Sequence, residues 1–147
     1  MTTISIDTIP HRPPFRFVDE IVEVGEKRIV TRTFLDPELE FFRGHYPDRP
    51  IMPGVLQCEA CFQAGALLVA HVMGGAATSS GVPVVTRIKD GRFKRVVRPG
   101  DTLHCEVTLD DVLDNCYFMT GRASVDGQIA SRVEFACMLA EEPGAHT

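Results

Sequence analysis

One stretch of the sequence constrains the fold more than any other: Val55 to Met73, VLQCEACFQAGALLVAHVM, whose apolar run is broken chiefly by Gln57, Glu59 and Gln63. It is long enough for about five helical turns. Apolar residues fall on nearly every face, so such a helix has to be enclosed on most sides. Pro53 and Gly54 stand at its start, and Gly74 and Gly75 end it. A bilayer is one possible enclosure. The uninterrupted remainder, Ala64 to Met73, has only 10 residues and includes His71, which is too short to cross one. The sequence therefore predicts no membrane insertion, and the chain must build the enclosure itself.

Material for that enclosure comes mostly after the helix. Leu103, Cys105, Val107 and Leu109 alternate with His104, Glu106, Thr108 and Asp110, a period of two that makes one face dry and one wet. Asn115 to Val125 and Gln128 to Ala140 read as a hairpin turning at Asp126-Gly127. Ile129, Val133, Phe135, Cys137 and Leu139 are expected on one face of its second strand. Arg28 to Leu35 is a further strand, rich in β-branched residues. Pro10, Pro13 and Pro14 keep the opening segment irregular at first. The run PELEFFRGHYPDRPIMPG, with Pro37, Pro47, Pro50 and Pro53, reads as a loop with short turns, and residues 76–83, AATSSGVP, as a flexible connection. A sheet curled around the helix buries both apolar surfaces at once. The fold class is α+β, with residues 1–147 forming one domain of ordinary size.

Composition removes several function classes. With 44% hydrophobic and 24% charged residues, the chain is not disordered. A net charge of −5 argues against coating nucleic acid. The start, MTTISIDTIP, lacks the basic and apolar regions of a signal peptide. Five cysteines without a disulfide-like spacing suit a reducing, cytoplasmic compartment. Cys58 and Cys61 form a C-x-x-C pair, but no second pair completes a zinc site. They read as small hydrophobes on a buried helix, and no metal is expected.

Chemistry concentrates where the helix begins. Backbone N–H groups at Pro53-Gly54 and beyond point outward and attract negative charge. Gly54 carries no side chain to obstruct a ligand oxygen. Glu59 lies just over one turn inside, on the face of Val55 and Gln63. A carboxylate among apolar neighbours is costly unless paired or protonated. Three prolines between His45 and the helix restrict the loop that holds His45. A histidine, a desolvated acid and free N–H groups are the parts for acid–base chemistry beside a carbonyl. Taken singly, each has a plainer explanation: a His in a Pro-rich loop is usually a satisfied polar residue, and a Glu on an apolar helix is usually salt-bridged.

The string GHYPDRPIMPGVLQCEACFQA resembles the signature of the 3-hydroxyacyl-acyl carrier protein dehydratases of type II fatty acid synthesis, G-H-F-P-x-x-P-x-M-P-G-V-L followed by Glu-Ala and a Gln. His45, Pro47, Pro50, Met52, Pro53, Gly54, Val55, Leu56, Glu59, Ala60 and Gln63 occupy those positions, and Tyr46 keeps the ring of the usual Phe. The opening Pro10-His11-Arg12 through Phe15 and Val18-Asp19 resembles the family's P-H-R-x-P-F-x-x-V-D. Arg92 through Asp101 resembles its A-R-F-K-R-P-V-x-P-G-D. The three segments follow family order across nearly the whole chain.

The resemblance implies a hot-dog fold, in which a curved antiparallel sheet wraps one long central helix. It also implies a homodimer, in many relatives a trimer of dimers, whose sites each take the His from one subunit and the Glu from the other. Catalysis then rests on His45 as base and Glu59 as acid, its pKa raised by burial. Gly54 and Val55 lie along the substrate, and no cofactor is needed. Gln63 either orients Glu59 or fills a polar gap. His11 and Arg12 are expected to position the N-terminal segment. Glu59, where dehydratase-isomerases carry Asp, favours plain dehydration. Val84 to Asp90 departs from the family's aromatic and G-I-D, and Cys58, Cys61 and Phe62 replace aliphatic or small residues, so chain-length preference stays open.

Two other classes are compatible with such a fold: a thioesterase, whose usual acid-bearing motifs are absent, and a non-catalytic acyl- or carrier-binding module, which has no use for a buried carboxylate. A last feature bears on partners. From Arg87 to Arg98 six basic residues face one acid, Asp90. This is either a solvated strand edge or, through Lys94, Arg95 and Arg98, a docking patch for acidic acyl carrier protein.

Overall fold

Six strands and one long helix frame the computed structural model, which describes residues 4–74 and 81–140. In chain order they are β1 (Glu20–Val24), β2 (Arg28–Phe34), a short α1 (Glu40–Gly44), α2 (Gly54–Val72), β3 (Val82–Phe93), β4 (Thr102–Leu113), β5 (Cys116–Val125) and β6 (Gln128–Ala140). The strands form one sheet, ordered β1-β2-β4-β5-β6-β3, with every neighbouring pair antiparallel. The chain leaves β2 near one edge, runs through α2, and enters β3 at the opposite edge. The helix therefore lies across the sheet, packed against β2, β3, β4, β5 and β6.

Alternation produces the dry face as expected. Ile29, Thr31 and Thr33 of β2 and Leu103, Cys105 and Val107 of β4 are buried, while their neighbours are not. The β5–β6 hairpin turns at Asp126 and Gly127, both at positive φ (51° and 78°), the geometry that matches strand twist. Register shifts interrupt β1–β2, β3–β6, β4–β5 and β5–β6, and such bulges bend a sheet. One of them corrects the sequence expectation. Between Ala123 and Ser124 the pairing jumps from Ser131 to Ile129, so Ala130, not Ile129, belongs to the core with Val133, Phe135 and Cys137.

Helix and sheet approach closely because small residues meet large ones. A side-chain carbon on Gly65 would lie 2.7 Å from the Phe135 ring, and one on Gly121 would lie 2.8 Å from Cys61 Cβ. Phe62 packs on Phe135 at a centroid distance of 4.9 Å. Gly74, at φ +77°, stops α2; Gly75 lies outside the described residues. By length and composition alone α2 would suffice for a membrane span, but 67% of that window is buried inside the fold. Burial by the sheet, and not shortness, identifies it as a core helix.

Three segments differ from expectation. Glu40–Gly44 is a short helix instead of loop, with Phe42 buried and Phe41 against Phe17; no proline falls between Pro37 and Pro47 to prevent it. Val82 and Pro83, assigned to a flexible connection, begin β3. Proline is tolerated there because β3 is an edge strand. Of that connection, residues 76–80 lie outside the described residues. Glu20–Val24 pairs as β1, a strand too short to stand out by pattern.

Candidate active site

His45 caps the C-terminal end of α1, and the Pro-rich turn after it is tied back on itself. His45 Nδ1 lies 2.9 Å from the Ile51 carbonyl, Arg49 N–H donates to the Tyr46 carbonyl at 2.9 Å, and Met52 N–H donates to the Val97 carbonyl at 2.7 Å. A carbonyl only accepts, so Nδ1 carries a proton, and in the neutral ring Nε2 keeps its lone pair. That tautomer makes Nε2 the basic atom. Tyr46 is held at φ +58°, a conformation that costs a bulky residue about 1 kcal/mol or more. The bonds on either side of Tyr46 hold it there.

The start of α2 has no side-chain cap. Leu56 and Gln57 N–H groups turn back to the Pro53 carbonyl, leaving those of Gly54 and Val55 without a protein partner among the described residues. Such free groups favour an incoming anionic oxygen. A side-chain carbon on Gly54 would lie 2.7 Å from ring carbons of Phe93, so in this arrangement the ring occupies that space. Val55 is 71% exposed, on the face of the helix that also carries Glu59.

Glu59 is not sealed in the core, since its side chain is 21% exposed. Gln63 Nε2 donates to Glu59 Oε2 at 2.9 Å and to the Phe15 carbonyl at 2.9 Å, while Gln63 Oε1 accepts from Phe17 N–H at 2.7 Å. Gln63 thus bridges the Glu59 carboxylate and the Phe15–Phe17 backbone. Within one chain Glu59 does not meet His45. The ring that faces Glu59 among the described residues is His11, whose Nε2 stands 3.6 Å from Oε2. Burial pushes the His11 imidazole below its ordinary range, Glu59 opposes this and Arg12 adds to it. His11 lies 48 positions before Glu59 in sequence, so no local spacing could join them; only the matched opening motif pointed to it.

The basic run is exposed, and Lys94, Arg95 and Arg98 share one groove of about 400 Å³ with Asp101 and Asp126. Arg92 pairs with Asp90 at 3.2 Å. The side chains of Lys94, Arg95 and Arg98 make no ion pair among the described residues, while the Arg98 backbone N–H donates to Asp101 Oδ2 at 2.8 Å. A larger groove of about 860 Å³ runs between Tyr46–Ile51 and Val96–Pro99. Cys58 and Cys61 are buried free thiols, and burial pushes Cys58 up to about 11.

The family profile of the FabA-like domain matches residues 9–134. The chain belongs to the FabA-like family. This FabA-like chain is 37% identical over 141 residues to the 3-hydroxyacyl-[acyl-carrier-protein] dehydratase FabZ of Rickettsia bellii, covering 93% of this chain and 94% of the relative. It is 41% identical over 134 residues to the FabZ of Anaeromyxobacter sp. (strain K), covering 90% and 86%. Among solved structures it is similar to the dehydratase heterocomplex ApeI:P of Xenorhabdus doucetiae, at 14% identity and a TM-score of 0.81, covering 96% and 94% of the two chains. A hypothetical thioesterase with coenzyme A from Streptococcus pneumoniae TIGR4 shares the fold, at 13% identity and a TM-score of 0.66, covering 84% and 86%. These likenesses place the FabA-like chain in the hot-dog fold.

Proposed function

We propose that this chain is a 3-hydroxyacyl-acyl carrier protein dehydratase of fatty acid biosynthesis, removing water from a (3R)-3-hydroxyacyl thioester to give the trans-2-enoyl thioester. The observation that carries the mechanism is the His45 tautomer, with Nδ1–H on the Ile51 carbonyl and a bare Nε2. Nε2 takes the C2 proton, and its electron pair becomes the C2–C3 double bond. The C3–O bond breaks as Glu59, in its acid form, gives its proton to the hydroxyl, which leaves as water. Charge gathering on the thioester oxygen meets the free N–H groups of Gly54 and Val55. Solvent then takes one proton from His45 and returns one to Glu59.

The site is completed by a second copy. His45 and Glu59 are not neighbours within the chain, and β3 ends the sheet with an unpaired edge. That strand exposes Val84, Val85, Ile88 and Phe93, an apolar edge of the kind that pairs with another chain. Phe93 sits against Gly54, so pairing there brings a partner close to the start of α2. Substrate arrives on acyl carrier protein, docked at Lys94, Arg95 and Arg98. The free cysteines agree with a reducing, cytoplasmic setting.

Incubating the purified protein with a 3-hydroxyacyl thioester tests the reaction. Enoyl-thioester absorbance supports dehydration. Free thiol would instead make it a thioesterase, and no product a binding module.

A further inference from the structure

The two protein groups that approach the Glu59 carboxylate converge on the same oxygen. Gln63 Nε2 and His11 Nε2 both face Oε2, and Oε1 has no protein partner among the described residues. His11 is itself braced. Its ring lies nearly parallel to that of Phe15, at 22° and 6.4 Å. Phe15 and Phe17 are tied to Gln63. The Arg12 guanidinium donates to the carbonyls of Asp7, Ile9 and His11. The N-terminal segment is thus a strap clamped to α2 within one turn of the carboxylate.

We propose that His11 is a positioning residue for Glu59: with Gln63 it claims Oε2 and leaves Oε1 to carry the proton delivered to the substrate hydroxyl. The inference rests on the dehydration reading above. A carboxylic acid used as a proton donor has to present its O–H to the substrate and not to the protein. Gln63 donates to Oε2 and His11 Nε2 stands over the same oxygen, and the oxygen that already faces these groups is the poorer site for the proton. At 3.6 Å the His11 contact is longer than a hydrogen bond; it acts on Oε2 electrostatically, beside the direct bond from Gln63.

The neutral form of His11 suits the task. Its Nδ1 is buried with no partner among the described residues. Protonation there would strand a buried N–H, so the single proton resides on Nε2, facing Glu59. A neutral donor orients the carboxylate, whereas a full cation would stabilise its ionised form and oppose proton delivery. Burial works in the same direction by lowering the imidazole below its usual range, against Glu59 on α2 and together with Arg12 on the strap.

The test compares His11→Leu, which keeps bulk and loses the donor, with His11→Gln, whose amide restores an N–H near the Nε2 position. His11→Leu is expected to lower kcat roughly 10- to 100-fold with KM within about twofold, and His11→Gln to recover most of that loss. In a Glu59→Gln background His11→Leu should cost nothing further, because its effect runs through the missing acid. A full additional loss in that background, or equal failure of His11→Leu and His11→Gln with KM raised, overturns the proposal. A second readout does not depend on turnover. The His11 titration followed by NMR should move lower still in Glu59→Gln, and an unchanged titration also overturns the proposal. If the wild-type protein makes no enoyl product while that titration responds, the dehydration reading fails and the His11–Glu59 coupling stands.

Discussion

Replacing Gln63 by leucine and, separately, Gln57 by leucine makes the same chemical change at two buried sites of one helix, with opposite expected signs. Gln63 is 0% exposed and Gln57 3%. Leucine at 63 strands the Phe17 N–H and the Phe15 carbonyl, both bonded to Gln63 now. An orphaned buried donor costs about 1–3 kcal/mol and a partly buried carbonyl sits at the low end, so the two together cost about 3 kcal/mol. The gain in apolar burial returns about 1 kcal/mol, leaving a net loss of about 2 kcal/mol. At 57 the Oε1 is already buried without a partner, so leucine removes a liability and keeps the same gain of about 1 kcal/mol. Urea and thermal melts of the two variants should therefore differ by about 3 kcal/mol, or roughly 6–12 °C in Tm for a domain of this size. Equal losses in the two variants would refute the reasoning, because they would show that Gln63 does no more for the strap than any buried glutamine.

His45→Ala and Glu59→Gln should each slow dehydration about 100-fold or more with melting unchanged; near-normal turnover by either purified variant removes its assignment. Mixing the two inactive variants should restore part of the activity once subunits exchange, since a mixed dimer holds one intact site. Exchange without recovery contradicts the shared site. Lys94→Glu with Arg95→Glu should weaken turnover of carrier-linked substrate and spare a pantetheine analogue, and added salt should act likewise. Equal losses on both substrates would assign these residues to the fold. Gly54→Ala should displace the Phe93 ring and lower kcat with little change in Tm, as that ring is 54% exposed and free to swing; a Tm drop of many degrees would show the contact to be structural.

What was legible in the sequence was whatever local pattern controls. The helix announced itself because Val55 to Met73 cannot be wetted, and the last hairpin because Asp126-Gly127 permits two positive φ values in succession. β3 was not legible. As an edge strand it exposes nearly its whole length, so it shows no alternation and carries Pro83 and several basic residues. Ile129 was placed on the wrong face because a bulge shifts the register by one, which periodicity alone does not reveal. At the site, His45, Gly54, Glu59 and Gln63 came from one contiguous motif. The His11–Glu59 contact depends on the strap folding back on α2, a long-range event that no spacing rule encodes. Phe93 was missed as the neighbour of Gly54 for the same reason.

The position of α2 in the chain has a consequence for synthesis. Of the strands that shelter it, β2 precedes it and β3 to β6 follow, so the helix leaves the ribosome before most of its cover exists. The 68 residues from Met73 to Ala140 take roughly 3–14 s to add at typical elongation rates. For that interval the most water-averse segment of the nascent chain has only β1 and β2 beside it. During this window a holdase chaperone competes with aggregation, and slower growth or cooler expression should raise the soluble yield without altering the finished protein. Premature stops within β5 or β6 should leave an insoluble fragment, not a partly active one.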